Sequence, residues 1–114
     1  MKYMIQIYLN DSMAQIAELP EDERDSISAE YRAISQTPGI IDGHQLQPAA
    51  TATTVRVQDG QTVTADGPFA GPREPLGGYY LVEADHPGAA IELAARIPAA
   101  RMGGAVEVRP VIEQ

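Results

Sequence analysis

His44 and Asp66 are the residues of this chain best suited to moving a proton, because an imidazole both accepts and donates and a carboxylate beside it completes an acid–base pair. Asp66 precedes Gly67-Pro68 at the end of a strand-like segment, where its carboxylate can act as a general base or hold a ligand. The same position also lets it accept backbone N–H groups and simply fix the turn. Arg109 offers a planar guanidinium that grips a carboxylate with two hydrogen bonds, and Glu107 alternates onto the same face. For that pair the competing reading is an ion pair across a subunit seam or a solvated edge. Tyr8 and Tyr79 supply hydroxyls that either bond a ligand or pack across an interface. The catalytic candidates are therefore His44 and Asp66, and the substrate-binding candidates are Tyr8, Tyr79, Glu107 and Arg109. His86 stands at a helix start, where the dipole favours a neutral capping imidazole over a catalytic one.

Other chemistries lack their residues. The chain has no cysteine, hence no thiolate zinc site, disulfide or cysteine nucleophile. Its two histidines, 44 and 86, show no metal-ligand spacing, and glycine-rich phosphate loops and serine nucleophile elbows are missing, so neither metal nor cofactor is expected. Sixteen acidic residues against eight basic ones leave a net charge of −8, the wrong sign for a phosphate backbone, so no direct nucleic-acid contact is expected. No apolar run reaches the ~18 residues of a membrane span and no basic-then-apolar leader opens the chain. These features predict a cytoplasmic protein without membrane contact.

The elements that must position these groups follow from periodicity. Tyr3, Ile5, Ile7 and Leu9 alternate with Met4, Gln6 and Tyr8, a strand with one greasy face. Residues 11 to 19 form a short helical turn. Pro20 as first helical residue, the acidic Glu21, Asp22 and Glu23, and the spacing of Ile27, Tyr31 and Ile34 predict a helix over 20–36. Residues 40–47 read as a second strand with Asp42, His44 and Leu46 on one face, although Gly43 weakens the pattern. Thr53–Val57 and Gln61–Ala65 flank Asp59-Gly60 as a hairpin. Placing all the valines on one face requires a three-residue loop, Gln58-Asp59-Gly60, pairing Val55 with Val63 and Thr53 with Ala65. The turn-rich stretch from Asp66 to Pro72, with three prolines between 68 and 75, is a structured loop. A central strand over 78–84 follows, and then a helix capped by Asp85 or His86, with Ala90, Ile91, Leu93, Ala94 and Ile97 as its core face. The last strand covers 105–109.

That order, strand-helix-strand, hairpin, strand-helix-strand, is an α+β ferredoxin-like arrangement in one domain, with both helices on one face of an antiparallel sheet. The core must be aliphatic and tyrosine-based, since there is one Phe and no Trp. The uncovered sheet face, carrying Met4, Tyr8, Tyr79 and Leu81, is an apolar patch suited to self-association as a two-fold homodimer.

Lys2-Tyr3-Met4 with Ile7-Tyr8, the stretch from Thr51 to Val57, Asp66-Gly67-Pro68-Phe69, Leu76-Gly77-Gly78-Tyr79-Tyr80 and the segment from Gly104 to Pro110 together resemble the YCII-related family over nearly the whole chain. The likeness is to the branch named for its Asp-Gly-Pro-Phe motif. The resemblance implies a ferredoxin-like protomer that pairs into a dimeric α/β barrel with a cleft between sheet and loops. A related branch includes enzymes that remove chloride from chlorinated ring-cleavage products, using a histidine in the first helix and a nearby aspartate. Residues 20 to 36 contain no histidine here and Tyr31 lies in the comparable region, so that mechanism does not carry over. The short connection after the first helix and the Gly71-Pro72-Arg73-Glu74-Pro75 loop also depart from the family pattern; Arg73 and Glu74 read as surface charge.

Three functions remain open on sequence. One is a cofactor-independent enzyme or binding protein for a small organic acid, with His44 and Asp66 transferring protons and Arg109 binding the anion. Another is a non-enzymatic regulatory module with a protein partner, for which the family's gene neighbourhood points to alternative sigma factors. The third is an accessory dimer with a structural role alone.

Overall fold

A computed structural model of the chain describes residues 1–71 and 74–113. Pro72, Arg73 and Gln114 lie outside the described residues, and with Arg73 the expectation of surface charge at Arg73-Glu74. The elements run β1 (Lys2–Tyr8), α1 (Ser12–Ala17), α2 (Glu21–Ser35), β2 (Ile40–Gln45), β3 (Thr53–Gln58), β4 (Gln61–Asp66), β5 (Leu76–Glu83), α3 (Pro87–Ala95) and β6 (Ala105–Pro110).

Strands β2-β5-β1-β6, in that spatial order, make one antiparallel sheet, and β3-β4 make a separate hairpin. Two βαβ halves interleaved in this order, with a hairpin inserted between them, are consistent with the ferredoxin-like arrangement. The alternation in β1 decides its orientation. Tyr3, Ile5 and Ile7 are buried against Tyr80 and Val82 of β5, Ile34 of α2, Ala90 and Ala94 of α3, and Ile97 and Ala99 just beyond it. Burying each large side chain of this set contributes roughly 1.5–3 kcal/mol, so the helices are held by their contact with the sheet.

The helix ends obey local chemistry. Glu21, Asp22 and Glu23 occupy the first turn of α2, with Pro20 at the cap position, one residue earlier than expected. α3 is capped by His86, whose Nδ1 accepts the Ala89 N–H at 3.2 Å; this selects His86 over Asp85 and leaves its imidazole outside the candidate site. Ile91, expected on the core face of α3, is 57% exposed. The buried stripe runs through Ala90, Ala94 and Ile97, and Ile91 is turned about 100° from its centre.

The hairpin register differs from the expected one. Asp59 (φ 52°) and Gly60 (φ 77°) both adopt the left-handed conformation, forming a two-residue loop that pairs Gln58 with Gln61, Arg56 with Val63 and Val55 with Thr64. The three-residue loop and the Val55–Val63 pairing are not formed. Their premise was a buried face, and β3 and β4 are exposed along nearly their whole length, so turn chemistry sets the register unopposed. The hairpin is an arm, and Val55, Val57, Val63 and Phe69 stand exposed along it. Its base is held by Gly67 N–H donating to the Ala52 carbonyl and by Thr54 Oγ1 donating to the Gly67 carbonyl, each at 2.8 Å.

Among the described residues no helix is long and apolar enough to cross a membrane.

Candidate functional site

The face of the sheet opposite the helices carries most of the side chains singled out in the sequence, and the register arranges them in rows. Arg109, Met4, Leu81 and Asp42 lie across β6, β1, β5 and β2 in one row; Glu107, Gln6, Tyr79 and His44 make the next. Tyr8 follows on β1, diagonal to Tyr79. Met4, Tyr8, Tyr79 and Leu81 are each half-buried, and among the described residues the core helices pack on the other face of the sheet.

His44 and Asp42 stand on one face of β2 because Gly43 lies between them. Gly43 is paired with Tyr80, and a methyl group at Gly43 would sit 2.5 Å from Tyr80 Cδ1, so the glycine makes room for the ring on the core side while its neighbours point to the open side. His44 Nε2 is 3.1 Å from Asp42 Oδ1. The other carboxylate oxygen of Asp42 accepts the Tyr79 hydroxyl at 3.4 Å. The imidazole and phenol rings are tilted by 52° with centroids 5.8 Å apart. One carboxylate thus serves both a base and a hydroxyl donor. Partial desolvation and then the negative charge of Asp42 raise the Tyr79 phenol above its ordinary value. Tyr79 consequently keeps its proton and donates at neutral pH.

With Nε2 held at Asp42, Nδ1 of His44 is the ring nitrogen left to meet a ligand. At the opposite edge, Arg109 Nη2 and Glu107 Oε1 form an ion pair of 2.6 Å. Val106 and Val108 pack toward the core, so the charged pair does project from the open face. Three strand spacings, about 14 Å, separate this pair from the His44 edge within one chain.

Asp66 is elsewhere. It ends β4 on the arm, opposite Thr53, and is exposed. The structure does not bring His44 and Asp66 together, since the chain leaves the sheet after β2 to build the arm. The carboxylate beside His44 is Asp42, which sequence reasoning placed on the same face and then passed over. Its signal was the i, i+2 spacing on a strand, which sets two side chains side by side. Among the described residues no three His, Asp or Glu side chains gather as a metal site would need.

The profile of the YCII-related domain matches residues 1–114. An uncharacterized protein of Rhizobium meliloti (strain 1021) is 32% identical over 114 residues, covering 97% of this chain and 92% of that protein.

Proposed function

Given that the chain belongs to the YCII-related family, we propose that it binds a small organic acid on its open sheet face and handles a proton there without a cofactor. The observation that carries this reading is the Asp42 carboxylate, held between the His44 imidazole and the Tyr79 hydroxyl on the sheet face turned away from the core. His44 is the proton-accepting group and Asp42 orients its imidazole. Tyr79 is the hydroxyl donor, and Tyr8 extends the same surface. Arg109 is the anchor for the carboxylate, which it takes in exchange for Glu107. Asp66 belongs to the Asp-Gly-Pro-Phe motif of the arm and has no part in this proton step. The acting unit in this reading is a cytoplasmic homodimer of the barrel type, from the branch that the motif marks.

A thermal-shift screen of mono- and dicarboxylates and 2-hydroxy acids tests it. A ligand at ~100 times its dissociation constant adds ~2.7 kcal/mol, a rise of several degrees for a domain of this size. The rise is expected in the wild type and is lost in Asp42→Asn, His44→Ala and Arg109→Ala. A panel that shifts none of these, with all of them folded, retires the reading.

One observation favours a second reading. The arm exposes Val55, Val57, Val63 and Phe69, with the Arg56 guanidinium 4.9 Å from the Phe69 ring centroid, a mixed apolar and cationic surface of the kind enriched at protein interfaces. A regulatory module meeting a protein such as an alternative sigma factor would use it, and arm substitutions would then abolish partner binding while leaving the carboxylate shift intact.

A further inference from the structure

A hollow of about 380 Å³ lies on the helical side of the sheet, away from the open face. It is bounded by the Thr37–Gly39 turn after α2, by the Val82–Asp85 end of β5 and by α3 through Arg96. Small-molecule sites run from about 300 to 1,000 Å³, so this hollow reaches the size of one. The neighbouring hollow at Glu30, Arg96 and Arg101, about 200 Å³, does not. We propose that the larger hollow binds a free α-amino acid with an apolar side chain, held as a zwitterion. The proposal is independent of the organic-acid reading, because β5 stands between the two places: Val82 lines the hollow, while Tyr79 and Leu81 belong to the rows of the open face.

The sequence makes the room. Gly39, Ala89 and Ala90 put no more than a methyl group into the space, which leaves a floor of Val82 and Ala90, both 1% exposed, with Leu93 beside them. The walls are fixed by hydrogen bonds. The Glu83 N–H donates to the Gly39 carbonyl at 2.7 Å, the Ile40 N–H to the Thr37 carbonyl at 3.3 Å and Thr37 Oγ1 to the Ala33 carbonyl at 3.0 Å, while His86 caps α3. A site held in this way has little left to order when a ligand arrives, which favours affinity.

The rim decides the ligand. Asp85 and Glu92 bring carboxylates and Arg96 a guanidinium, and among the described residues none of the three forms an ion pair. Glu83, the remaining acid, is engaged by the Met1 ammonium at 2.9 Å. Glu92 and Arg96 are spaced to meet each other across one helical turn, but such exposed pairs are weak and yield to a ligand. A simple anion would face two carboxylates for one guanidinium, and a simple amine would leave the guanidinium unused. An α-amino acid gives its carboxylate to the Arg96 fork and its ammonium to Asp85 and Glu92. Being neutral overall, it is not repelled by a chain of net charge −8. The apolar floor takes its side chain. At the ~30 Å³ that one water occupies in the liquid, the hollow holds roughly a dozen non-hydrogen atoms, the size of leucine or phenylalanine.

Titration of the isotope-labelled protein with leucine and phenylalanine, followed through backbone amide shifts by NMR, tests the proposal. Saturable shifts are expected at Thr37, Gly39, Glu83 to Asp85 and Ala89 to Arg96, with the amides of residues 42–45 and 105–109 unmoved. Leucinamide, which lacks the carboxylate, and N-acetyl-leucine, which lacks the ammonium, should each bind at least about ten-fold more weakly, the factor that one hydrogen bond to a charged group carries. Arg96→Ala and Asp85→Asn, both at exposed positions, should weaken leucine to a similar degree while the remaining amide spectrum stays in place. The two analogues act on the wild type, so they decide the matter even where a variant misfolds. The absence of saturable shifts in the hollow, equal binding of either analogue, or an unaltered titration of folded Arg96→Ala overturns the proposal. Leucine shifts confined to residues 42–45 and 105–109 also overturn it and assign the carboxylate to the open face. Failure of leucine to bind leaves the thermal shift by hydroxy acids untouched, so the two readings fail separately.

Discussion

Gly43→Ala tests whether one cross-strand contact holds both the core and the site. The backbone at Gly43 is not left-handed, so an alanine brings no conformational strain there. It brings a methyl group 2.5 Å from Tyr80 Cδ1, 2.9 Å from Cε1 and 3.1 Å from the Tyr79 carbonyl oxygen. Carbon atoms pack at about 3.5–4.0 Å, so the ring or the strand must retreat by about an ångström. The ring is buried, with its hydroxyl 3.4 Å from Ser35 Oγ, and the carbonyl belongs to the sheet. Overpacking of this kind costs about 1–3 kcal/mol, and replacing a strand glycine returns about 0.5–1 kcal/mol. The net loss is about 1–2 kcal/mol, a fall in Tm of roughly 4–10 °C at this chain length, read by circular dichroism. Adding Tyr80→Leu removes the obstructing ring, so the double variant should fall by less than the sum of the two single variants. A Gly43→Ala protein as stable as the wild type, or a strictly additive double variant, would refute the claim that Tyr80 occupies the space above Gly43.

Three further outcomes follow from the same geometry. Asp42→Asn removes the charge beside Tyr79 and should lower the titration midpoint of that phenol, followed by tyrosinate absorbance against a Tyr79→Phe control, while the desolvation part of the shift persists. Burial raises the Tyr31 phenol against the lowering effect of its backbone hydrogen bond with Ala99, so the folded state keeps this proton where the unfolded chain has begun to lose it. Stability from this source is whole below the unfolded value of about 10 and declines as pH climbs through the raised folded value. Denaturant titrations of Tyr31→Phe between pH 8 and 11 (about the range where the phenol ionises) should lose less stability at the alkaline end than wild type. Val55→Ser with Val57→Ser should change stability by less than about 0.5 kcal/mol in denaturant titrations, since both side chains are exposed; a larger loss would refute the description of the arm as standing clear of the core.

What the sequence disclosed depended on whether one force dominated locally. β1 was legible to within one residue at each end because a single buried face imposes strict alternation, and the acid-rich start of α2 announced itself through the helix dipole. The arm's register was misjudged because a one-sided core was assumed where burial is absent and the Asp59-Gly60 turn decides. Gly43 was read as a flaw in β2, and only the facing Tyr80 ring turns it into a requirement. For the site, sequence periodicity put His44, Tyr79, Tyr8, Glu107 and Arg109 on one face. It could not say that the hairpin carrying Asp66 departs from the sheet, since that depends on pairing between distant segments.

The chain is extended for its length. A compact domain of this length has a radius of gyration of about 13 Å, whereas this one measures 15.9 Å and is a slab of 48 × 41 × 18 Å. Part of the excess is the arm, whose valines find no core within their own chain, and the thin dimension is that of one sheet with helices on a single side. Met4, Tyr8, Tyr79 and Leu81 on that sheet and Val55 and Val57 on the arm are apolar positions of one chain left without cover. In the proposed homodimer a second copy covers these surfaces. In that reading assembly and ligand chemistry share one surface, and a substitution that separates the two copies should remove carboxylate binding even where it touches neither His44 nor Arg109.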